Sequence, residues 1–175
     1  MITAPDSRIY LRALEPTDLD RLYDWENDTS IWEVGSTVAP FSRHQLTDYV
    51  MNYSNDIYAT RQLRLMVCLK SDGSAVGMVD ITDFEPVDLR AQVGILIAQT
   101  HQGLGLGAEA LQLTVDYART TLLLHQIYAL IPESNKASLA TFRSCGFKTA
   151  GHLRSWLRLP GDRYADVSFQ QLLFV

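Results

Sequence analysis

The chain has 175 residues, a length that suits about one domain, and 47% of them are hydrophobic while 20% are charged. This balance is typical of globular domains and excludes a disordered, collagen-like or coiled-coil chain. Fifteen Lys and Arg residues against twenty Asp and Glu residues give a formal net charge of −5, which argues against a nucleic-acid partner because nucleic-acid-binding domains are usually basic.

The N-terminal half of the chain predicts a strand, two helices and a hairpin, in that order. Alternating apolar residues predict the first strand, and an apolar stripe at helical spacing follows it. Ser42 and Gln45 have the spacing of a capping box at the start of the second helix. Two alternating runs on either side of Asp72-Gly73 predict the hairpin. The predicted ranges are 9–14, 16–27, 42–53, 62–69 and 75–84.

The C-terminal half alternates between strands and helices and closes with a second hairpin. An almost continuously apolar run, which includes Val93, Ile95 and Ile97, is typical of a buried central strand. Gly146 is placed to end a helix as its C′ residue. The predicted ranges are a strand at 91–98, a helix at 104–121, a strand at 126–131, a helix at 135–145, and strands at 150–158 and 164–174.

This order of elements predicts one α/β domain over 1–175. A strand, a helix and a strand in sequence imply a parallel crossover pair, 91–98 with 126–131, whereas the hairpins are antiparallel. The central sheet is therefore expected to be mixed, with about seven strands and about four flanking helices.

Other features of the sequence indicate a cytoplasmic protein without a membrane or metal partner. No apolar run approaches the ~18 residues of a membrane helix, and 1–6 lacks the basic and apolar regions of a signal peptide. We expect Cys68 and Cys145 to be core thiols in a reducing compartment. The four histidines show no metal-ligand spacing, so no metal site is predicted. Trp25 and Trp156 are interpreted as core residues.

The most informative segment is Gln102-Gly103-Leu104-Gly105-Leu106-Gly107, which lies between the apolar strand and the long helix. Glycines there permit a left-handed backbone and let a bulky group approach closely. The N–H groups of the first helical turn and the helix dipole favour an anion, most naturally a phosphate or pyrophosphate. The alternative interpretation is a flexible turn without a ligand, in which three glycines at a helix start would cost stability.

Comparison with known phosphate-binding motifs shows which kinds of phosphate ligand the glycine segment suits. A Walker loop is excluded because no Lys-Ser or Lys-Thr follows the glycines. Gly103, Gly105 and Ala108 match the G-x-G-x-x-G/A spacing of a dinucleotide loop. In that motif, however, the first glycine follows its strand almost at once, whereas 99–102 intervenes in this chain. The acidic residue that should follow on the next strand is also misplaced, because Glu133 lies late and behind a proline.

A third pattern, Q/R-x-x-G-x-G/A, is met by Gln102, Gly105 and Gly107. It resembles the pyrophosphate loop of the acyl-CoA N-acyltransferases, the GNAT superfamily. A second segment resembles that superfamily's signature N-x-x-[SA]-x-x-x-Y-x-x-x-G-F, and it runs from Asn135-Lys136-Ala137-Ser138 through Phe142 to Cys145-Gly146-Phe147. Two ordered signatures and the order of elements make nearly the whole chain similar to a single GNAT-like domain.

Within the superfamily, the chain is similar to spermidine/diamine acetyltransferases and to Rim-type ribosomal-protein N-terminal acetyltransferases. The supporting segments are 12–18, Gly77 with Asp83-Phe84, and Arg90 with Gly94-Ile95. These matches are looser than the two signatures and do not separate the two subfamilies.

The resemblance implies that acetyl-CoA is the co-substrate and that an amine attacks its thioester directly in a ternary complex. Backbone groups of Leu96 and Ile97 would pair with the pantetheine arm and polarise the thioester carbonyl. The Asn135 amide would contact the same arm, although Asn135 also suits a plain helix N-cap and can serve both roles. The pyrophosphate would be held by the N–H groups of Gln102, Gly103, Leu104, Gly105, Leu106 and Gly107.

An acceptor amine with a pKa of about 10 must lose a proton before it attacks the thioester. Strict alternation along a strand would place Asp80 and Asp83 on opposite faces. Asp83 is the preferred catalytic base because it lies near the strand end where loops converge, and an ordinary turn residue is its alternative interpretation. The other candidates for the base are Asp80, Glu85 and Glu33.

Substrate binding is predicted at Trp32, Glu33 and Glu85. Trp32 and Glu33 lie between the first two predicted helices, where family members line the acceptor site. A Trp face and a carboxylate suit an alkylammonium or guanidinium group. An acidic rim for a polyamine, or simply a solvated acidic surface, would be formed by Asp28, Asp83, Glu85 and Asp88.

The sequence departs from the superfamily at the Tyr that is thought to protonate the leaving thiolate, because Phe142 occupies that position. Rim-type members often lack this Tyr as well, and a thiol with a pKa of about 8.5 is a fair leaving group without it. Cys145 lies about one helical turn further on. It is either a substitute acid or, more simply, a packed core thiol.

The leading prediction is an N-acetyltransferase that moves the acetyl group of acetyl-CoA to a primary amine, a polyamine or diamine. A protein N-terminus and an aminoglycoside are the alternative acceptors. A catalytically silent CoA-binding module is the alternative from another class, since Phe142 has no proton to donate. The superfamily's assemblies also suggest a homodimer or higher oligomer.

Overall fold

A computed structural model describes residues 1–32, 37, 39–159 and 161–174. Within these ranges the chain forms one mixed sheet of seven strands and four helices of eight or more residues, which confirms the predicted fold class. The strands are β1 (Ile9–Ala13), β2 (Leu63–Leu69), β3 (Ala75–Glu85), β4 (Arg90–Ile97), β5 (Gln126–Pro132), β6 (Lys148–Leu159) and β7 (Arg163–Leu173). The helices are α1 (Leu19–Glu26), α2 (Thr29–Trp32), α3 (Arg43–Met51), α4 (Ile57–Thr60), α5 (Leu106–Thr120) and α6 (Lys136–Ser144).

The sheet has the strand order β1-β2-β3-β4-β5-β7-β6. Every neighbouring pair is antiparallel except β4 and β5, which form the predicted parallel crossover pair. The β4–β5 ladder is short and ends where Gln92 lies opposite Tyr128. The two strands continue beyond this point without pairing, so a V-shaped gap opens in the middle of the sheet.

Helices cover both faces of the sheet and give the domain two apolar cores. On one face, α5 and α6 bury residues such as Leu111 and Phe142 against the sheet. On the other face, α1 and α3 bury Leu22, Trp25 and Leu46 in a second core. Each fully buried large apolar side chain stabilises the fold by roughly 1.5–3 kcal/mol. The sheet is thus held from both sides while its gap remains open.

Trp25 is a core residue as expected, but the expectation for Trp156 is wrong, because 57% of its surface is exposed. The β5–β7 ladder ends where Pro132 lies opposite Val167. The hairpin of β6 and β7 continues past that point, and no third strand of the described residues pairs with it beside Trp156. No helix among the described residues is long and apolar enough to cross a membrane.

Candidate active site

A cavity of about 490 Å³ opens where β4, the glycine loop and α6 meet. Its volume is in the usual range for a small-molecule or cofactor site. A second cavity of about 120 Å³ extends into the gap between β4 and β5. The two cavities share Ile95, Asn135, Ser138 and Phe142. A ligand that enters at the glycine loop can therefore reach the centre of the sheet.

The glycine loop takes the conformation that its composition predicts. Gly103 and Gly105 have left-handed backbones with φ of +75° and +80°, so α5 begins at Leu106, two residues later than predicted. Gly105 is the N-cap and has no side chain to bond the first N–H groups of the helix, which leaves those donors for a ligand. A Cβ on Gly107 would lie 3.6 Å from Ile97, so the helix approaches β4 closely.

Five of the six predicted loop residues, all except Leu104, line the larger cavity. Leu104 is 55% exposed, and its carbonyl accepts a hydrogen bond from Arg8 at 2.8 Å. Gln102 is tied to the protein, because its side-chain Nε2 donates to the Ile97 carbonyl at 2.9 Å. Its backbone N–H also bonds the Gln99 carbonyl. Gln102 therefore holds the loop against the end of β4.

The structure corrects the expectation that the backbone of Leu96 faces the pantetheine arm. A Cβ placed on Gly77 of β3 would lie 2.3 Å from the Leu96 carbonyl oxygen, so that oxygen points toward β3. Backbone groups along a strand alternate between its two neighbours. Ile95 and Ile97 therefore direct theirs toward the gap, and both residues also line the larger cavity. Ile95 rather than Leu96 therefore has the geometry that pairing with a pantetheine arm would require.

Asn135 has one of the two roles that the sequence left open, and its position is compatible with the other. Its Oδ1 accepts a hydrogen bond from the Ser138 N–H at 3.0 Å, which makes it the N-cap of α6. The residue also lines both cavities. Because the amide oxygen serves the helix, the amide NH₂ group is the part that can donate to a ligand.

On the face covered by α1 and α3, an ion-pair network ties up one of the candidate bases. Arg64 donates to both carboxylate oxygens of Asp80, at 2.6 and 2.9 Å, and to Glu26 at 2.6 Å. Burial lowers the pKa of Arg64, but the charge and hydrogen bonds of Asp80, together with the charge of Glu26, outweigh burial and raise the pKa overall. Trp32 joins this network, because its indole N–H donates to the Glu26 carbonyl at 2.8 Å.

Asp83 lies at a bulge that the sequence did not predict. Its φ of +48° is left-handed, and the β3–β4 register shifts between Thr82 and Glu85. Burial and then the charge of Asp83 raise the pKa of Tyr128, so Asp83 lies near that ring. Tyr128 stands between two strand neighbours that belong to the core under α5 and α6. It therefore points to the opposite face, and the bulge puts Asp83 on the same face as Asp80.

The remaining predicted acceptor residues are engaged locally or lie outside the described residues. Glu85 accepts a hydrogen bond from the Val87 N–H at 3.2 Å, within the β3–β4 turn. Asp28 accepts from the hydroxyl and N–H of Ser30, and these bonds lower its pKa. Glu33 belongs to the residues that the structure does not describe. Within the described ranges, Asp83, Glu85 and Trp32 line neither cavity.

Phe142 lies at the junction of the cavities and is 3% exposed, with its ring packed edge-on against Phe147. Cys145 is half-buried, and its Sγ lies 3.5 Å from the Ala108 carbonyl oxygen. Burial raises the pKa of this thiol, and Cys145 is absent from the described lining of both cavities. This placement suits a packed thiol. Among the described residues, no three His, Cys, Asp or Glu side chains are grouped to hold a metal ion.

Ser138 and His101 also line the larger cavity, and no motif predicted a role for either residue. Ser138 belongs to the second signature, and its position in that motif could have predicted that it lines the cavity. His101 belongs to a polar connector and carries no motif. Its place beside the loop follows from the short turn that ends β4.

The chain belongs to the GNAT acetyltransferase family, because the family model for the "Acetyltransferase (GNAT) domain" matches residues 8–148. It is an acetyl-CoA-dependent N-acetyltransferase, and acetyl-CoA is its co-substrate.

Similar proteins fall into both subfamilies that the sequence motifs resemble. A spermidine N(1)-acetyltransferase from Vibrio cholerae is 28% identical over 168 residues, which cover 96% of this chain and 94% of that protein. The Escherichia coli enzyme of the same name is 28% identical over 145 residues, covering 83% and 75%. A putative ribosomal N-acetyltransferase, YdaF of Bacillus subtilis, is 27% identical, covering 96% and 92%.

Solved structures agree with the fold along almost the whole chain. The Vibrio cholerae spermidine N-acetyltransferase in complex with CoA and spermine has a TM-score of 0.86 at 28% identity, with 96% of each chain covered. A dodecameric structure of the Vibrio cholerae enzyme in an intermediate state has a TM-score of 0.79, with 96% of this chain and 95% of that chain covered.

Proposed function

We propose that the chain acetylates a polyamine or diamine by direct attack of a primary amine on acetyl-CoA. The observation that carries this proposal is the gap between β4 and β5. The gap leads from the glycine loop toward the sheet face that carries Asp83 and Tyr128. The ion pairs of Arg64 with Asp80 and Glu26 lie on the same face. A cofactor and an amine can therefore meet at the gap from opposite sides. The similarity to enzymes named as spermidine acetyltransferases supports the choice of amine.

The cofactor side of the proposal rests on the glycine loop and α6. The free N–H groups at the start of α5 suit the charges of a pyrophosphate. The pantetheine arm would run along β4 and pair with the backbone of Ile95 and Ile97, as an added strand does. A backbone N–H there would polarise the thioester carbonyl. The Asn135 amide would donate to the same arm.

The acceptor side rests on Asp83 and Tyr128 at the vertex of the gap. The Tyr128 ring lies 5.2 Å from the Phe169 ring in a stacked pair, and aromatic faces beside a carboxylate attract alkylammonium groups. Asp83 would take the proton of the ammonium, directly or through water. The neutral nitrogen then bonds to the acetyl carbon and loses a second proton to water. The carbon–sulfur bond breaks, the electron pair leaves with the sulfur, and water protonates the released thiolate.

An acceptor screen tests the proposed function. Purified protein and acetyl-CoA are mixed with spermidine, putrescine, an aminoglycoside or peptides with free N-termini, and thiol release and the mass of each product are measured. We expect turnover with spermidine or putrescine and a mass increase of one acetyl group. Turnover only with peptides would favour the N-terminal acetyltransferase, which the similarity to the Bacillus subtilis protein also suggests. Acetyl-CoA binding without turnover of any amine would identify a silent CoA-binding module.

We also propose that the protein forms a homo-oligomer, because the Vibrio cholerae relative has a dodecameric structure. Sedimentation velocity at several protein concentrations measures the assembly directly. A species larger than 19.7 kDa that persists on dilution is expected, and a monomer at every concentration would overturn this proposal.

A further inference from the structure

Tyr128 is the last residue of β5 that pairs with β4, so it stands at the vertex where the gap opens. Gln92 lies opposite Tyr128, and Thr82 of β3 lies opposite Gln92, so these residues form one row across the sheet. Neighbouring strands are about 4.8 Å apart, and a tyrosine side chain is long enough to reach over β4 toward β3. Asp83 follows Thr82 in the chain. The register therefore brings the Tyr128 hydroxyl within reach of the Asp83 carboxylate.

The pKa of Tyr128 reflects a contact between these two groups. Burial raises this pKa most, the charge of Asp83 raises it next, the charge of Arg90 lowers it, and a hydrogen bond with Asp83 raises it further. A hydrogen bond that raises the pKa of a phenol stabilises its neutral form, so the Tyr128 hydroxyl is the donor. Because the pKa lies above its ordinary value of 10.0, the hydroxyl keeps its proton at neutral pH.

The Tyr128 ring is fixed from the side opposite β4. There β7 is the neighbour of β5, and its Phe169 ring stacks on the Tyr128 ring with 5.2 Å between the ring centroids and 11° between the planes. The Asp83 side chain, by contrast, is exposed and lies on a left-handed bulge. An exposed side chain loses rotational freedom only where a partner holds it. The fixed hydroxyl of Tyr128 is such a partner.

The donor at Asp83 is an uncharged group, unlike the donor at the neighbouring carboxylate on the same face. Arg64 donates to both oxygens of Asp80, so a cation offsets the charge of Asp80 and occupies both of its oxygens. A tyrosine hydroxyl has one proton to donate and therefore bonds one oxygen of Asp83. The second oxygen and the negative charge of Asp83 can then serve an acceptor ammonium group.

Open space for such a group lies beside the pair. Gly94 is two positions after Gln92, so it belongs to the same face of β4, and it also lines the smaller cavity. Among the described residues, no atom lies within 4 Å of where a Cβ of Gly94 would be. The smaller cavity is therefore open toward the acceptor face at the vertex, next to Tyr128.

We infer that Tyr128 is a positioning residue, whose hydroxyl holds one oxygen of the Asp83 carboxylate while the other oxygen takes the proton of the acceptor ammonium. This inference rests on the proposed function. The proton moves from the nitrogen to the free oxygen of Asp83 and later passes to water, and the lone pair of the nitrogen attacks the acetyl carbon. Tyr128 neither gains nor loses a proton, so it acts only through Asp83.

The kinetic test is a double-mutant cycle with spermidine, or with whichever amine of the screen is turned over. Tyr128→Phe keeps the ring and removes only the hydroxyl, so it should lower kcat by about 5- to 20-fold and keep the KM for the amine within about two-fold. Added to Asp83→Asn, it should cause no further loss, because the hydroxyl acts through that carboxylate. Tyr117→Phe in α5 is the matched control and should keep the wild-type kcat, since burial alone raises the pKa of Tyr117.

A second measurement tests the contact without turnover. The protein is labelled with ¹³C at the Cζ atoms of its tyrosines and titrated by NMR between about pH 8 and about pH 11, and the Tyr128 signal is assigned by its absence in Tyr128→Phe. In Asp83→Asn the pKa of Tyr128 should fall, because a negative charge that raises it is removed. The pKa of Tyr117 should stay the same. An unchanged pKa of Tyr128 would overturn the contact and the inference.

The outcomes separate the inference from the proposed function. A wild-type kcat in Tyr128→Phe would overturn the inference while the proposed function stands. So would a further loss of kcat when Tyr128→Phe is added to Asp83→Asn, because Tyr128 would then act independently of that carboxylate. If the wild type binds acetyl-CoA but turns over no amine, the proposed function fails and the inference fails with it.

Discussion

Arg8 and Glu109 lie 101 positions apart in the chain, and Arg8 bonds Glu109 through both its backbone and its side chain. The backbone N–H of Arg8 donates to one carboxylate oxygen at 3.0 Å, and its Nε donates to the other at 2.6 Å. The same guanidinium donates to the Leu104 carbonyl, and it lies 3.4 Å from where a Cβ of Gly105 would be. The pair therefore fixes the glycine loop from outside the cavity.

Removing this contact should weaken cofactor binding more than catalysis. In Arg8→Ala we expect the KM for acetyl-CoA to rise about 5- to 10-fold with kcat nearly unchanged, because the loop would lose a hydrogen bond of about 1 kcal/mol and its fixed conformation. Arg119→Ala is the control, since Arg119 is a similarly exposed residue of α5 that pairs with Asp116. Steady-state kinetics with varied acetyl-CoA measure both. Equal KM values in the two variants would contradict this role of Arg8.

The same pair predicts how stability depends on pH. Burial raises the pKa of Glu109, but the bonds from Arg8 outweigh burial, so the pKa lies below its ordinary value of 4.5. A carboxyl with a lowered folded-state pKa stabilises the fold above its unfolded-state pKa, and this contribution is lost as the pH falls through the folded-state value. The Tm difference between the wild type and Glu109→Gln should therefore be constant above about pH 5 and shrink below it. A difference that grows with acidification would have the wrong sign.

Filling the glycine loop should abolish cofactor binding without unfolding the protein. Gly105→Val puts a branched side chain at φ +80° against the Arg8 guanidinium, which costs roughly 1–2 kcal/mol in backbone strain and displaces the loop whose N–H groups would hold the pyrophosphate. Gly161→Val is a matched control, because Gly161 has φ +74° and open space around it. Both variants should lose similar stability in thermal melts. Only Gly105→Val should lose acetyl-CoA binding in calorimetry, and retained affinity would contradict the loop assignment.

Gly77 is required for the close approach of β3 to β4. A Cβ on Gly77 would lie 2.3 Å from the Leu96 carbonyl oxygen and 2.9 Å from the Ile97 side chain. We expect Gly77→Ala to destabilise the fold by about 1–3 kcal/mol, as overpacking does, which lowers the Tm of a domain of this size by roughly 3–10 °C. Gly151→Ala in β6, where no atom lies within 4 Å, serves as the control. Equal melting temperatures would show that β3 can move away from β4.

Asp83 is tested through the pH dependence of turnover. Without its carboxylate, Asp83→Asn can use only amine that has already lost its proton, and this fraction rises with pH. The rate should fall at neutral pH, and its optimum should move to higher pH. Asp88→Asn in the adjoining turn is the control, because Asp88 already pairs with Arg90. A wild-type pH profile in Asp83→Asn would exclude Asp83 as the base.

Most of the fold could be predicted because its signals are local. The apolar run around Val93 predicted the central strand, and the alternation on both sides of Asp72-Gly73 predicted the hairpin. Gly103 and Gly105 predicted the turn before α5, although the helix begins later because left-handed residues cannot lie within it. The two signatures, which are far apart in the sequence, also line one cavity, and that this cavity binds the cofactor stays a prediction.

The remaining errors come from features that no local pattern carries. The bulge at Asp83 reverses the expected face of that residue, and a non-glycine residue gives no sign of a left-handed backbone. The backbone groups of Leu96 and Ile97 point to opposite neighbours, as they do in any strand. The sequence does not tell which of the two residues directs its backbone groups toward β3. The bonds between Arg8 and Glu109 join distant segments, and only the packed sheet brings them together. The hydrophobicity of Trp156 predicted a core position. It does not reveal that the β6–β7 hairpin extends beyond the end of the β5–β7 ladder.

The proposed mechanism depends on one claim, that the cavity between the glycine loop and α6 is the acetyl-CoA site. Calorimetric titration of the wild-type protein with acetyl-CoA, beside NAD and ATP, tests this claim most directly. We predict micromolar binding of acetyl-CoA at one site per chain and no comparable heat with NAD or ATP. Absence of acetyl-CoA binding to the folded protein would contradict the assignment of the cavity, and the proposed transfer to an amine would fall with it.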